Sequence, residues 1–212
     1  MKLADIKRNY HAIFSLGADC YVGFWLNQFK LRPFSEFLDW VRSPSLKDVN
    51  QLLNNRFINF LELQNLSFVC HTPEGGHNLI IRDNLYNIDF VHDFLATVNT
   101  STSFPQYTEI KEKYNRRIQR FLNCTETSEW ILFVRSGGTY EEAAELEKIL
   151  SSIVKHNFQV LLILDGDIEE IKELDWELKH TCVVQFKMYP VRDYIRNKDA
   201  CTMLFNGITL TS

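Results

Sequence analysis

The chain has 212 residues, 45% of them apolar and 24% charged, with a formal net charge of −4. That length builds a full core without cross-links, and with no run of more than two Lys or Arg it lacks the basic footprint of a nucleic-acid binder. No run of eighteen apolar residues occurs, so no membrane span is expected. The five cysteines, Cys20, Cys70, Cys124, Cys182 and Cys201, are odd in number, scattered and free of C-x-x-C spacing, which argues against a disulfide framework and a zinc site.

The opening residues MKLADIKRNY lack the apolar stretch of a signal peptide. With reduced thiols, a cytoplasmic location is expected. Residues 11–16 (HAIFSL) read as a short buried strand broken by Gly17. Residues 20–29 then place Val22, Trp25, Leu26 and Phe29 at helical spacing. Residues 45–55 form a second helix, with Ser45 as N-cap and Leu46, Val49, Leu52 and Leu53 on one face.

Residues 56–104 read as an irregular β-rich insertion or lid. They contain SFVCHT, NLIIRD and YNIDFVHDF, with a turn at Glu74-Gly75-Gly76-His77 that makes a hairpin of the first two. A long helix runs from Pro105 to about Leu122. Then EWILFVRSGG and FQVLLILDGD, apolar on both faces, flank TYEEAAELEKILSSIVKH, whose Thr139 and Glu142 form a capping-box pattern. Strand, helix and strand in this order mean a parallel β-α-β unit. TCVVQFKMY reads as one more strand, and residues 199–212 carry no readable pattern. The expectation is a single α/β domain over residues 1–212, three-layered, with a mainly parallel sheet and helices on both faces (Rossmann-like). Sixteen Phe point to an aromatic core.

In an open parallel sheet, ligands bind beyond the carboxyl ends of the strands. The residues just past each apolar run are Gly17 to Cys20, then Asp39 and Trp40, His92 and Asp93, Arg135 and Ser136, and Asp165-Gly166-Asp167. A thiol in the first turn of a helix faces unsatisfied N–H groups and the positive end of the dipole, which favour the nucleophilic thiolate. Gly17 gives the backbone room to turn and expose it. The plainer reading of Cys20 is a packed, inert thiol. His92 is the natural general base, with Asp39, Asp165 or Asp93 to hold its other nitrogen, although Asp93 next door in a strand points to the opposite face. Arg116 and Arg120 share one face of the long helix, and with Arg135 they offer an anion site. Solvated arginines paired to nearby acids explain them as well. Cys70, His71 and His77 lack a fourth metal ligand. No G-x-G-x-x-G, Walker or G-x-S-x-G motif occurs, so neither a metal nor an organic cofactor is expected.

The segments FSLGADCYVGFWLNQFKLRPFSEFLDW, FVHDF, YNRRIQRFL, ILFVRSGG and VLLILDGD occur in this order between residues 11 and 167. This series resembles a bacterial family described as papain-like cysteine peptidases, and DCYVGF is similar to the cysteine motif of papain-like cell-wall endopeptidases. The resemblance implies Cys20 as nucleophile, His92 as base, a carboxylate or amide to orient the imidazole, and thioester chemistry on an amide or ester. It also brings in a papain-like α+β fold as the alternative architecture. The expected function is a cysteine-dependent hydrolase or acyltransferase. Cys20, His92 and Asp39 would be catalytic, and Arg116, Arg120, Arg135 and Asp165 would bind a small-molecule, peptide or glycan substrate. The rival expectation is a non-catalytic or carbohydrate-biosynthesis protein that binds a sugar phosphate or nucleotide sugar through the arginines and Asp165.

Overall fold

The apolar runs and capping signals become a mixed α/β architecture in the computed structural model, which describes residues 1–73, 76–190 and 193–211. Of the expected turn, Glu74 and Gly75 lie outside the described residues. In chain order the strands and helices are β1 (Asn9–Tyr10), β2 (Ala12–Ser15), α1 (Cys20–Gln28), β3 (Val41–Arg42), α2 (Leu46–Asn54), β4 (Leu66–His71), β5 (Asn78–Asp83), β6 (Ile88–Leu95), α3 (Tyr107–Thr127), β7 (Trp130–Ser136), α4 (Tyr140–Ile153), β8 (Asn157–Asp165), β9 (Lys172–Leu174), β10 (Thr181–Phe186), α5 (Tyr194–Phe205) and β11 (Thr209–Leu210).

The main sheet has the order β2-β7-β8-β10-β9. Its first four strands are parallel, and β9 closes the edge antiparallel to β10. One face carries Phe14, Ile131, Phe133 and Val160 into a core shared with α2, α3 and α4. The opposite face carries Ile13, Leu132, Val134 and Leu161 against α1 and α5. The alternation follows from the two-residue period of a strand, which here is buried on both sides. Much of the phenylalanine content meets in the first core. Phe121 lies edge-on to Phe14 and to Phe37, with ring centroids 5.0 Å away in each case, a favoured aromatic geometry.

The β-rich segment is a sheet of its own, in the order β3-β6-β5-β4 and antiparallel throughout. It recruits Val41–Arg42, outside the bounds expected of the insertion, because β3 pairs with Phe90 and Asp89 of β6. This arrangement corrects the sequence-based placement of His92. The residue does not follow the end of a strand in the parallel sheet; it lies inside β6 of the antiparallel one. Between the pairs Leu79–Phe94 and Ile81–Phe90, β5 contributes one residue and β6 contributes Val91, His92 and Asp93. Such a bulge re-aims side chains that simple alternation would send elsewhere.

The tail, unreadable in the sequence, forms α5 and then β11, which pairs in parallel with β1. Neither short strand has enough residues for a periodic signal.

Gly17 makes the turn between β2 and α1 with φ +80°, and a Cβ there would stand 2.3 Å from Ser43 Oγ. Both the backbone conformation and the contact exclude a side chain. Gly17→Ala is expected to cost roughly 2 kcal/mol or more of stability, read as a lowered urea midpoint at unchanged m-value.

Candidate active site

Helix α1 begins at Cys20, with Asp19 as its N-cap and the Asp19 carboxylate accepting from the Tyr21 N–H at 2.7 Å. Asp19 has the residue type that signals a helix start. The helix is pulled against the chain that follows it. A Cβ on Gly23 would come within 2.8 Å of the Asp39 carbonyl oxygen, and Arg32 donates to the Gly23 carbonyl at 3.1 Å. These contacts set the α1 N-terminus at the junction of the two sheets. There Cys20 Sγ lies 3.5 Å from His92 Nε2. Trp40 stands edge-on to the imidazole, with centroids 6.3 Å apart. The pair opens into a cleft of about 470 Å³ lined also by Asp19, Arg42, Thr72, Asn78, Ile80 and Val91.

The surroundings of Cys20 favour its neutral form. Burial pushes it up to about 11, and the charges of Asp19, Asp39 and Asp93 add to the shift, while Arg42 opposes them. The helix terminus suggested the reverse. Desolvation, the largest cause, and three carboxylates act against it, each disfavouring the charged form directly.

The expected orienting residues are engaged elsewhere. Asp39, fully buried, pairs with Arg32 at 2.9 Å and accepts from the Glu36 N–H at 2.7 Å. Both contacts use Oδ2, Oδ1 has no hydrogen-bond partner, and none joins Asp39 to the imidazole among the described residues. Asp93 turns away, bonding Lys113 and, at 2.8 Å, the Tyr114 hydroxyl. Asp165 accepts from the Met188 N–H at 2.9 Å and lines a separate cleft with Ser136 and Tyr189. Among the described residues, the remaining ring nitrogen of His92 has no hydrogen-bond partner.

The four residues assigned to the substrate do not line the Cys20 cleft. Arg116 is exposed on α3. Arg120 reaches back to the Glu36 carboxylate at 2.9 Å and to the Ser35 carbonyl at 2.9 Å. Burial pushes the Glu36 carboxyl up to about 7 in spite of this partner. Arg135 is wholly buried. It donates to the carbonyls of Leu16 and Ser43, each at 2.8 Å, and to Ser43 Oγ at 3.1 Å. A guanidinium enclosed by carbonyl acceptors holds the chain together and has no face left for a ligand, which corrects its assignment to the substrate. Residues the sequence did not single out are Arg42, Thr72 and Asn78, all on the cleft, which also takes in His77, weighed in the sequence only as a metal ligand. Arg42 follows Asp39-Trp40 so closely that this motif is the one signal that points to it.

A family described as "putative papain-like cysteine peptidase" matches residues 11–166. The chain belongs to this family. A similar protein, uncharacterized, comes from Acanthamoeba polyphaga mimivirus and is 28% identical over 179 residues, covering 76% of this chain and 80% of the relative. That relative is viral, so the bacterial source suggested by the motifs is not borne out. No solved structure matches the chain. No helix among the described residues is long and apolar enough to cross a membrane.

Two measurements test the site's electrostatics. The rate of Cys20 alkylation by iodoacetamide is expected to climb with pH towards about 11, well above the ~8.5 of an ordinary thiol. Asp19→Asn keeps the cap acceptor but removes a negative charge, and should lower that apparent pKa by up to about one unit. Arg135→Ala leaves buried carbonyls without donors and should cost roughly 3 kcal/mol of unfolding free energy, measured by urea denaturation.

Proposed function

We propose that the protein is a cysteine hydrolase acting on an amide or ester, with Cys20 as nucleophile and His92 as general base. The observation that carries this reading is the 3.5 Å approach of Cys20 Sγ to His92 Nε2, made by residues 72 positions apart on different elements. Family membership supports the same chemistry. A thiol at a helix N-terminus facing a histidine on an antiparallel sheet is also compatible with the papain-like alternative, although a parallel sheet carries the thiol here.

The chemistry starts from a neutral thiol. At a pKa of about 11, only about one thiol in ten thousand is ionised at pH 7. His92 therefore removes the proton as Sγ attacks the carbonyl carbon. The carbonyl π pair moves to oxygen, and the backbone N–H of Cys20, free of an intrahelical partner at this first-turn position, is the donor assigned to that oxygen. Collapse expels the leaving amine or alkoxide, which takes the proton from His92 and leaves a thioester. A water molecule, deprotonated by His92, then attacks the thioester and releases the acid, and the proton returns to Sγ. An acceptor amine or alcohol in place of water would make the same site an acyltransferase.

The substrate is proposed to be a small molecule, a peptide or a glycan derivative with an accessible acyl group, met in the cytoplasm. Nothing favours the sugar-phosphate reading, because Arg120 and Arg135, two of the arginines that motivated it, are bound to the protein itself.

Incubation with an activated p-nitrophenyl ester is expected to place one acyl group on Cys20, seen by peptide mass spectrometry. Cys20→Ala should abolish turnover. His92→Ala should lower kcat by about 100-fold or more with little change in KM. Full turnover by Cys20→Ala would overturn the proposal.

A further inference from the structure

Three neighbouring strands of the antiparallel sheet carry a cross-strand row of charges. Arg42 on β3 and Arg82 on β5 both stand opposite Asp89 of β6. The Asp89 carboxylate is 5% exposed. Arg82 takes it with two hydrogen bonds, Nε at 2.6 Å and Nη2 at 3.0 Å, and Arg42 adds one from Nη2 at 2.9 Å. One carboxylate thus serves two guanidinium groups, and one positive charge is left over. The surplus belongs to Arg42, because the bidentate partner of Asp89 is Arg82. The Arg42 side chain is 47% exposed. Its Nε and Nη1 have no protein partner among the described residues, and it lines the cleft that holds Cys20 and His92. Asp19, on the same cleft, forms no ion pair with it.

A guanidinium with idle donors beside a nucleophile matches a planar anion. We propose that Arg42 is the specificity residue of the cleft and that the molecule presented to Cys20 carries a carboxylate. The substrate class is an amide or ester of an acidic compound, such as a peptide with a free carboxyl terminus or an acidic side chain near the scissile bond. This rests on the assignment of Cys20 as nucleophile. The cleft supports it further, since its lining also includes the apolar Ile80 and Val91, which lower the local dielectric.

Iodoacetate and iodoacetamide test the proposal on the intact chain. Both react by the same displacement, with an S–C bond forming as iodide leaves, and both consume the thiolate. The ratio of their rates at one cysteine therefore cancels any effect on thiolate population and reports the pull on the reagent's carboxylate. Exposed Cys70 on β4 serves as the internal reference. The expected ratio at Cys20 is roughly fivefold above that at Cys70, the upper end of what a half-exposed ion pair supplies. Arg42→Gln should bring it down to the Cys70 value, and Arg42→Lys should keep part of it. Asp89 retains Arg82 in both variants, so the fold is not left with an unpaired buried carboxylate. Equal ratios at the two cysteines, or a raised ratio that survives Arg42→Gln, would overturn the proposal.

Protection of Cys20 from iodoacetamide then separates the sources of the anion. Protection by Ala-Ala-Ala with a free carboxyl terminus assigns a chain end, and protection by acetyl-Ala-Glu-Ala-amide assigns a side chain. Protection by neither overturns the substrate class while the p-nitrophenyl ester result still stands for Cys20. Conversely, a raised ratio alongside full turnover by Cys20→Ala would show an anion site without the nucleophile's role.

Discussion

The buried guanidinium of Arg135 is the constraint on which the site depends. It leaves the end of β7 and donates to Leu16, the last residue before the Gly17 turn, and to Ser43 and Pro44, which follow β3. One side chain thereby fixes the carboxyl end of a parallel strand to the edge of the antiparallel sheet. Cys20 follows β2 of the first sheet and His92 lies in the second, so the junction between them is braced by three hydrogen bonds from Arg135 to Ser43 and Pro44 that neither residue makes. Burial pulls the pKa of Arg135 down to about 10, yet it remains a cation at neutral pH, and every polar edge of it is answered by an oxygen. Buried charge is tolerated when its hydrogen bonds are complete.

A second charged network reinforces the same junction. Arg32 pairs with Asp39, and Arg120 with Glu36, on either side of the 35–40 segment that delivers Trp40 to the imidazole. A buried pair such as Arg32–Asp39 contributes little net stability against desolvation, but it is strongly destabilising to break singly. The effect of the two pairs is to give Trp40 one position. Of the two α3 arginines that the sequence offered to a substrate, Arg120 acts in this way, whereas Arg116 is exposed.

What the sequence reveals follows from range. Thr139 and Glu142 announce α4 three residues apart, and the structure closes that capping box. Ser45 caps α2 in the same local manner. The runs ILFV and VLLIL become parallel strands because their apolar character on both faces needs no distant partner to be read. Cys20 and His92 were legible as chemistry, one at a glycine-to-helix turn and the other in an aromatic, acidic strand. Their sheet assignments were not. His92 reaches Cys20 through a bulge that depends on how β5 and β6 register, and no single-strand pattern encodes it. Arg135 and Asp39 look like ligand groups in a string of letters because burial is a property of everything around them. The same holds for β1 and β11, two residues each and separated by almost the whole chain.

The raised pKa of Cys20 also bears on its oxidation. Peroxide attacks thiolates, and a cysteine with a low pKa enters the ladder from sulfenic to sulfinic acid readily. A thiol held near 11 offers very little thiolate to such reagents. The desolvation and the carboxylates that raise the thiol's pKa thereby shield the sulfur from this chemistry.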